Sequence, residues 1–88
     1  MVVLSGIDGK AITLLVQRQN EKEVYYRMGM NMSLKYLMND YYKRMGLGLG
    51  TIQFIGPDGN LLRENNTPLQ LKLEDGDVID AFSHVDGG

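Results

Sequence analysis

The chain closes on Asp86-Gly87-Gly88, and its last two residues are the first place where chemistry is conceivable. Glycines carry no side chain, so a diglycine end can extend freely and enter a narrow enzyme channel. A carboxylate presented in that way can be activated and passed to an amine. A Gly-Gly end also fits a frayed terminus, so the reading depends on what precedes it. Asp77-Val78-Ile79-Asp80-Ala81-Phe82 reads as a strand that carries the tail directly out of a folded body.

Other chemistries are excluded by what the chain lacks. It has no cysteine, hence no disulfide, no thiolate metal site and no cysteine nucleophile. Its one histidine, His84, cannot form a histidine-rich metal cluster. Met28, Met30 and Met32 read as adaptable packing rather than soft-metal ligands. No nucleophile–base pair and no acid–base dyad stands out, so no catalytic residue, cofactor or enzymatic activity is assigned. The net charge of −2 offers nothing to a nucleic acid. No apolar run is long enough to span a bilayer and no signal peptide is recognised, so a soluble intracellular protein is expected.

The elements that must hold the tail are those of one small domain, since 88 residues allow no more. Ala11 to Arg18 is a predicted strand: Ile12, Leu14 and Val16 share one face, and Thr13, Leu15 and Gln17 the other. The polar stretch Gln19 to Lys22 suits a reversal. Glu23 to Met30 follows as a second strand, with Val24, Tyr26 and Met28 on one face and Tyr25 and Arg27 on the other. Asn31 to Met45 is the one convincing helix. Leu34, Leu37, Met38, Tyr41 and Met45 form its apolar stripe, while Lys35, Asn39, Tyr42 and Lys43 fall outside it. Asn31 and Ser33 are candidate N-caps, Lys43 and Arg44 suit the negative end of the helix dipole, and Gly46 suits the position just past the end.

Thr51 to Ile55 is a third strand, Gly56-Pro57-Asp58-Gly59 a turn, and Leu61-Leu62 a short fourth strand. Arg63 to Glu74 is irregular, with Leu69, Leu71 and Leu73 expected to pin it to the core. Asp75-Gly76 is a turn, after which the fifth strand runs to about Ser83. The order ββαβββ gives a two-layer α+β domain, one amphipathic helix covering a mixed sheet. Residues 1–10 read as an N-terminal arm or linker remnant, 11–85 as the domain and 86–88 as the tail.

A set of landmarks in fixed order adds a family. These are Tyr41 with Lys43-Arg44-Met45-Gly46, then Ile52-Gln53-Phe54, Asn65-Asn66-Thr67-Pro68, Glu74-Asp75-Gly76-Asp77-Val78-Ile79-Asp80 and the closing Gly87-Gly88. With them, the chain from Ile12 onward resembles the small ubiquitin-related modifiers, SUMO, of the ubiquitin-like β-grasp group. The resemblance implies a mixed five-stranded sheet packed on one main helix. It also implies that the Gly88 carboxylate, with Gly87, is adenylated, moved to an enzyme cysteine as a thioester and joined to a target lysine. The implied partners are activating and conjugating enzymes, a modifier-specific protease where residues follow Gly88, and the target lysines. No nucleic acid or membrane partner is implied; a monomer of the nucleus and cytoplasm is expected.

The resemblance further implies docking of short hydrophobic peptides, the SUMO-interacting motifs, as an added strand between the second strand and the helix. The groove would be Val24, Tyr26 and Met28 with Ser33, Leu34 and Leu37, rimmed by Arg27, Lys35 and Arg44. Tyr26 and Met28 suit a half-exposed slot, whereas Leu34 and Leu37 read first as core. A conjugating-enzyme surface would involve Asn20, Glu74, Asp75 and Asp77. An alternative function keeps only the non-covalent docking, within one unit of a tandem protein.

Several residues depart from the family pattern. Gly29 and Tyr36 stand where basic rim residues are common, and Gly56 stands where a bulky core residue is usual, with Leu61 or Leu62 as the replacement filler. Asp86 puts a carboxylate directly before the diglycine. Leu15, Ile55 and Phe82 face away from the helix by alternation, and the β-grasp strand order would bring them together as a candidate apolar patch. Leu71-Lys72-Leu73-Glu74 matches the pattern of a modifier acceptor site, a short motif that also arises by chance.

Overall fold

The computed structural model describes residues 1–83. It contains β1 (Val2–Val3), β2 (Ala11–Gln17), β3 (Val24–Gly29), α1 (Lys35–Arg44), β4 (Ile52–Ile55) and β5 (Val78–Ser83). The five strands form one mixed sheet in the order β1-β3-β2-β5-β4. β2 pairs antiparallel with β3 in a register that sets Ile12 opposite Met28, Leu14 opposite Tyr26 and Val16 opposite Val24. The period-2 patterns of both strands therefore meet on one face, and α1 covers it with Leu37, Met38 and Tyr41. β5 lies between β2, to which it is parallel, and β4, to which it is antiparallel.

The helix begins later than the pattern from Asn31 predicts. Met32 N–H donates to the Gly29 carbonyl, so the chain makes a turn there first. The first helical N–H groups are satisfied by a distant loop: Leu34 donates to the Asn66 carbonyl at 2.8 Å and Lys35 to that of Glu64 at 3.1 Å. Ser33 Oγ accepts from the Lys35 N–H at 3.3 Å and donates to the Glu64 carbonyl. The other end is a Schellman motif. Gly46 has φ 68, its N–H donates to the Lys43 carbonyl, and Leu47 N–H donates to that of Tyr42.

Tyr42 lies outside the predicted stripe yet is buried. β4 and its connector wrap that flank of the helix: the Tyr42 hydroxyl donates to the Ile52 carbonyl at 3.1 Å, and Tyr41 and Tyr42 each meet Phe54 edge-on. Leu62 supplies the bulk missing at Gly56, where a Cβ would lie 3.1 Å from a Leu62 methyl. Leu61 makes an isolated bridge to Ile55 rather than a strand. Among the expected loop anchors Leu73 is buried and Leu69 is exposed; Pro68, fully buried, anchors the loop with Leu73.

The fifth strand of the sheet comes from the N-terminal arm. Val2 and Val3 pair parallel with Tyr26 and Arg27 on the outer edge of β3. Two residues paired to a strand far along the chain leave no local periodicity to read.

Candidate functional site

The β3–α1 groove differs from its sequence expectation in how its residues are presented. Tyr26 and Met28 are 0 % exposed, and Leu34 and Leu37 are buried with them. Tyr26 and Met28 are therefore core side chains and not the walls of a half-open slot. Val24 is half-buried, and Ser33 is committed to the Glu64 carbonyl. Arg27 does not reach the groove at all. It alternates to the opposite face of the sheet, where Nη1 donates to Thr13 Oγ1 at 2.8 Å and lies 3.6 Å from Asp75 Oδ1. Lys35 is exposed, its Nζ 5.4 Å from the Tyr36 ring centre. What β3 offers a partner is its backbone edge, and β1 already lies on that edge.

Behind the edge stands a polar link that the sequence does not reveal. The Tyr26 hydroxyl donates to Asp40 Oδ2 at 2.8 Å, and Arg44 grips the same carboxylate through Nε at 2.9 Å and Nη2 at 3.2 Å. Burial, with the adjacent Asp40 carboxylate, pushes the Tyr26 hydroxyl well above its ordinary pKa. Asp40 moves the other way. Partial burial opposes its ionisation, but hydrogen bonds from Arg44 and Tyr26 outweigh that and hold it below the usual aspartate value. Arg44 is thus one turn of helix from Asp40 and engaged with it, with about half of its side chain accessible. Asp40 and Arg44 are four apart on the helix, the spacing of an ordinary intrahelical pair; only the register of β3 shows that a buried tyrosine joins them.

The expected conjugating-enzyme surface separates into two places. Glu74, Asp75 and Asp77 form the turn that leads into β5: Asp75 Oδ1 accepts from the Thr13 N–H at 2.7 Å, and Asp77 Oδ2 accepts from that of Glu74 at 2.8 Å. This turn runs beside the first half of β2, where the Gly76 N–H donates to the Thr13 carbonyl and the Leu15 N–H to that of Asp77. Asn20, with φ 65, lies in the turn past the other end of β2. The three acids belong together and Asn20 does not join them.

Leu15, Ile55 and Phe82 do not lie directly opposite one another in the sheet. They share the outer face, but Leu15 is level with Tyr25 and Val78, Ile55 is opposite Asp80, and Phe82 is opposite Gln53. A hydrogen bond of 2.6 Å from Gln17 Nε2 to Asp80 Oδ1 runs between them. Leu15 instead continues into a short apolar row, Tyr25–Leu15–Val78. Lys72 is exposed but has φ 56, and the next residue, Leu73, is buried.

β5 is hydrogen-bonded on both sides and ends at Ser83, whose partner is Ile52. The conjugation residues expected at the end of the chain, Gly87 and Gly88, lie outside the described residues.

A mixed sheet in this order, with the helix on one face between the second hairpin strand and β4, defines the ubiquitin-like β-grasp. Solved structures agree: a ubiquitin of Caldiarchaeum subterraneum superposes with a TM-score of 0.78 over 90 % of this chain and 100 % of that one, at 15 % identity. The solution structure of SUMO from Trypanosoma brucei gives a TM-score of 0.72 at 28 % identity, covering 97 % of this chain and 90 % of that one. In sequence, residues 12–82 match the family described as ubiquitin-2 like Rad60 SUMO-like. Small ubiquitin-related modifier 2 of Arabidopsis thaliana is 42 % identical over 80 residues, which are 91 % of this chain and 77 % of that protein. The chain belongs to the SUMO-like family of ubiquitin-related modifiers.

Proposed function

We propose that this chain is attached through the Gly88 carboxylate to lysine side chains of target proteins, and that the β3 edge beside α1 docks short apolar peptides. The carboxylate oxygen attacks the α-phosphorus of ATP and displaces pyrophosphate. An enzyme cysteine then displaces AMP to give a thioester, and a lysine amine displaces the cysteine to give an isopeptide bond. The chain supplies no catalytic group to these steps; activating and conjugating enzymes do, and a specific protease would expose Gly88 wherever residues follow it. The observation that carries the reading is positional. The family match runs to Phe82, within the doubly paired strand β5, and the chain then continues directly to Gly87-Gly88.

Incubation with a SUMO activating enzyme and ATP should give a thiol-sensitive adduct. A chain lacking Gly88 should give none; an adduct from both, or from neither, refutes attachment through Gly88. The same reading places the conjugates in the nucleus and cytoplasm, and fractionation that finds them in neither compartment rejects that assignment. Docking is tested separately, by titrating a peptide with a Val-Ile-Asp-Leu centre and following the Tyr26 to Met28 amides by NMR. Shifts confined to other strands would exclude this edge.

A further inference from the structure

The β3 edge is already taken. Val2 and Val3 pair parallel with Tyr26 and Arg27, and the Leu4 N–H donates to the Arg27 carbonyl at 2.9 Å. Pairing in that register turns Val2 and Leu4 toward the helix side, where both pack partly buried against the core. Val3 faces out and is 65 % exposed. The chain then crosses the end of β3 to reach β2. The Met30 N–H donates to the Lys10 carbonyl at 2.9 Å, and the Ile7 Cα lies 3.7 Å from where a Cβ on residue 29 would be. The same Cβ would press to 3.2 Å on Met32. Gly29 therefore does more than omit a basic rim residue: a side chain there would meet both Met32 and the crossing segment.

An extended apolar stretch that adds to an open edge, with alternate side chains seated beside a helix, is β-augmentation carried out within one chain. The added strand is two residues long, so few hydrogen bonds hold it, and such a segment opens more readily than the rest of the sheet. We propose that Val2 to Leu4 are a displaceable internal ligand of the docking edge, and that a peptide partner competes by entering parallel to β3 with apolar side chains two positions apart in the seats of Val2 and Leu4. The proposal rests on the docking reading of β3 and specifies its occupant. It makes the apparent affinity for any such peptide the intrinsic affinity scaled by the fraction of time the seat is open.

The test uses the full chain, unmodified and as Val2→Asp/Leu4→Asp, which cannot seat its own segment. Two labelled probes are titrated: a peptide with the sequence of residues 1–8, and an unrelated peptide with a Val-Ile-Asp-Leu centre. Both should bind the double variant about tenfold or more tighter than the unmodified chain, as for a seat open about a tenth of the time. The Leu4 amide should also exchange with solvent faster in the variant. Equal affinity of the residue 1–8 peptide for the two chains, or no binding to the variant, overturns the internal ligand. If only the unrelated peptide binds, and equally to both, competition fails while docking stands. If only the residue 1–8 peptide binds, and to the variant, the internal ligand stands and docking of foreign peptides fails. A variant with a lost circular-dichroism melt is replaced by Val2→Ser/Leu4→Ser, read by the same criteria.

Discussion

Replacing Tyr26 with Phe isolates the link between β3 and α1. The ring stays, so no cavity forms, and only the hydroxyl that donates 2.8 Å to Asp40 is lost. A hydrogen bond to a charged group contributes about 1.5–3 kcal/mol when its loss strands a buried partner. Here the loss is smaller, because Arg44 still holds both carboxylate oxygens and a quarter of the Asp40 side chain remains open to water. Tyr26→Phe should therefore cost about 1–1.5 kcal/mol in urea unfolding at pH 7. The difference must also depend on pH in a defined way. Asp40 has a folded pKa below its unfolded value, so its contribution is full above the unfolded value of about 4 and is lost as pH falls through the lower folded one. Tyr26 has its pKa raised, so its contribution is full below the ordinary value of 10.0 and is lost as pH rises beyond it. The gap between the two proteins should close at both extremes. A cost below about 0.3 kcal/mol at neutral pH, or a gap that is flat from pH 7 down to pH 2, would refute the link as drawn.

Other perturbations separate backbone, packing and tail. Gly46→Ala adds a Cβ that meets nothing within 4 Å, so its cost of about 1 kcal/mol reports only the left-handed backbone and should appear as a parallel shift of the urea curve. Leu62→Ala should cost about 2–4 kcal/mol, since Gly56 beside it has no side chain to close the cavity; a cost below about 1 kcal/mol would mean that another group fills the space. Asp86→Thr removes the carboxylate two residues before Gly88 and should speed thioester formation with an activating enzyme; an unchanged rate would show that the charge is indifferent to channel entry.

What the sequence discloses here follows the range of the physics. β2, β3 and the helix stripe are written in local periods of two and 3.6, and Gly46 in a backbone preference, so all of these are legible from a few adjacent residues. Tyr42 is not, because its burial comes from β4 folding back across a flank that the helix pattern leaves polar. The family resemblance puts Arg27 on the rim, whereas strand alternation sends it to Asp75 on the other face. Leu15 and Phe82 share a face but sit at different heights along β5, and that height is fixed by the register with β2 and β4, which no single strand encodes. β1 is the extreme case: two valines whose strand partners, Tyr26 and Arg27, lie in the middle of the β2–β3 hairpin.

The burial of the groove residues changes what a mutation there can mean. Tyr26, Met28, Leu34 and Leu37 are as enclosed as any residues in the core, so truncating one opens a cavity first and disturbs docking only as a consequence. A peptide that adds to β3 meets the strand's N–H and C=O groups, which every sequence has, so discrimination must come from the two seats that Val2 and Leu4 now fill. Those seats can be altered from the outside, through residues 1–10, without touching the core. Substitutions at Val2 and Leu4 should therefore change peptide affinity with little effect on the main unfolding transition, and substitutions at Tyr26 and Met28 should do the reverse. Coupled changes at both sets would mean that the edge and the core are one cooperative unit, and then no segment of this size could be released alone.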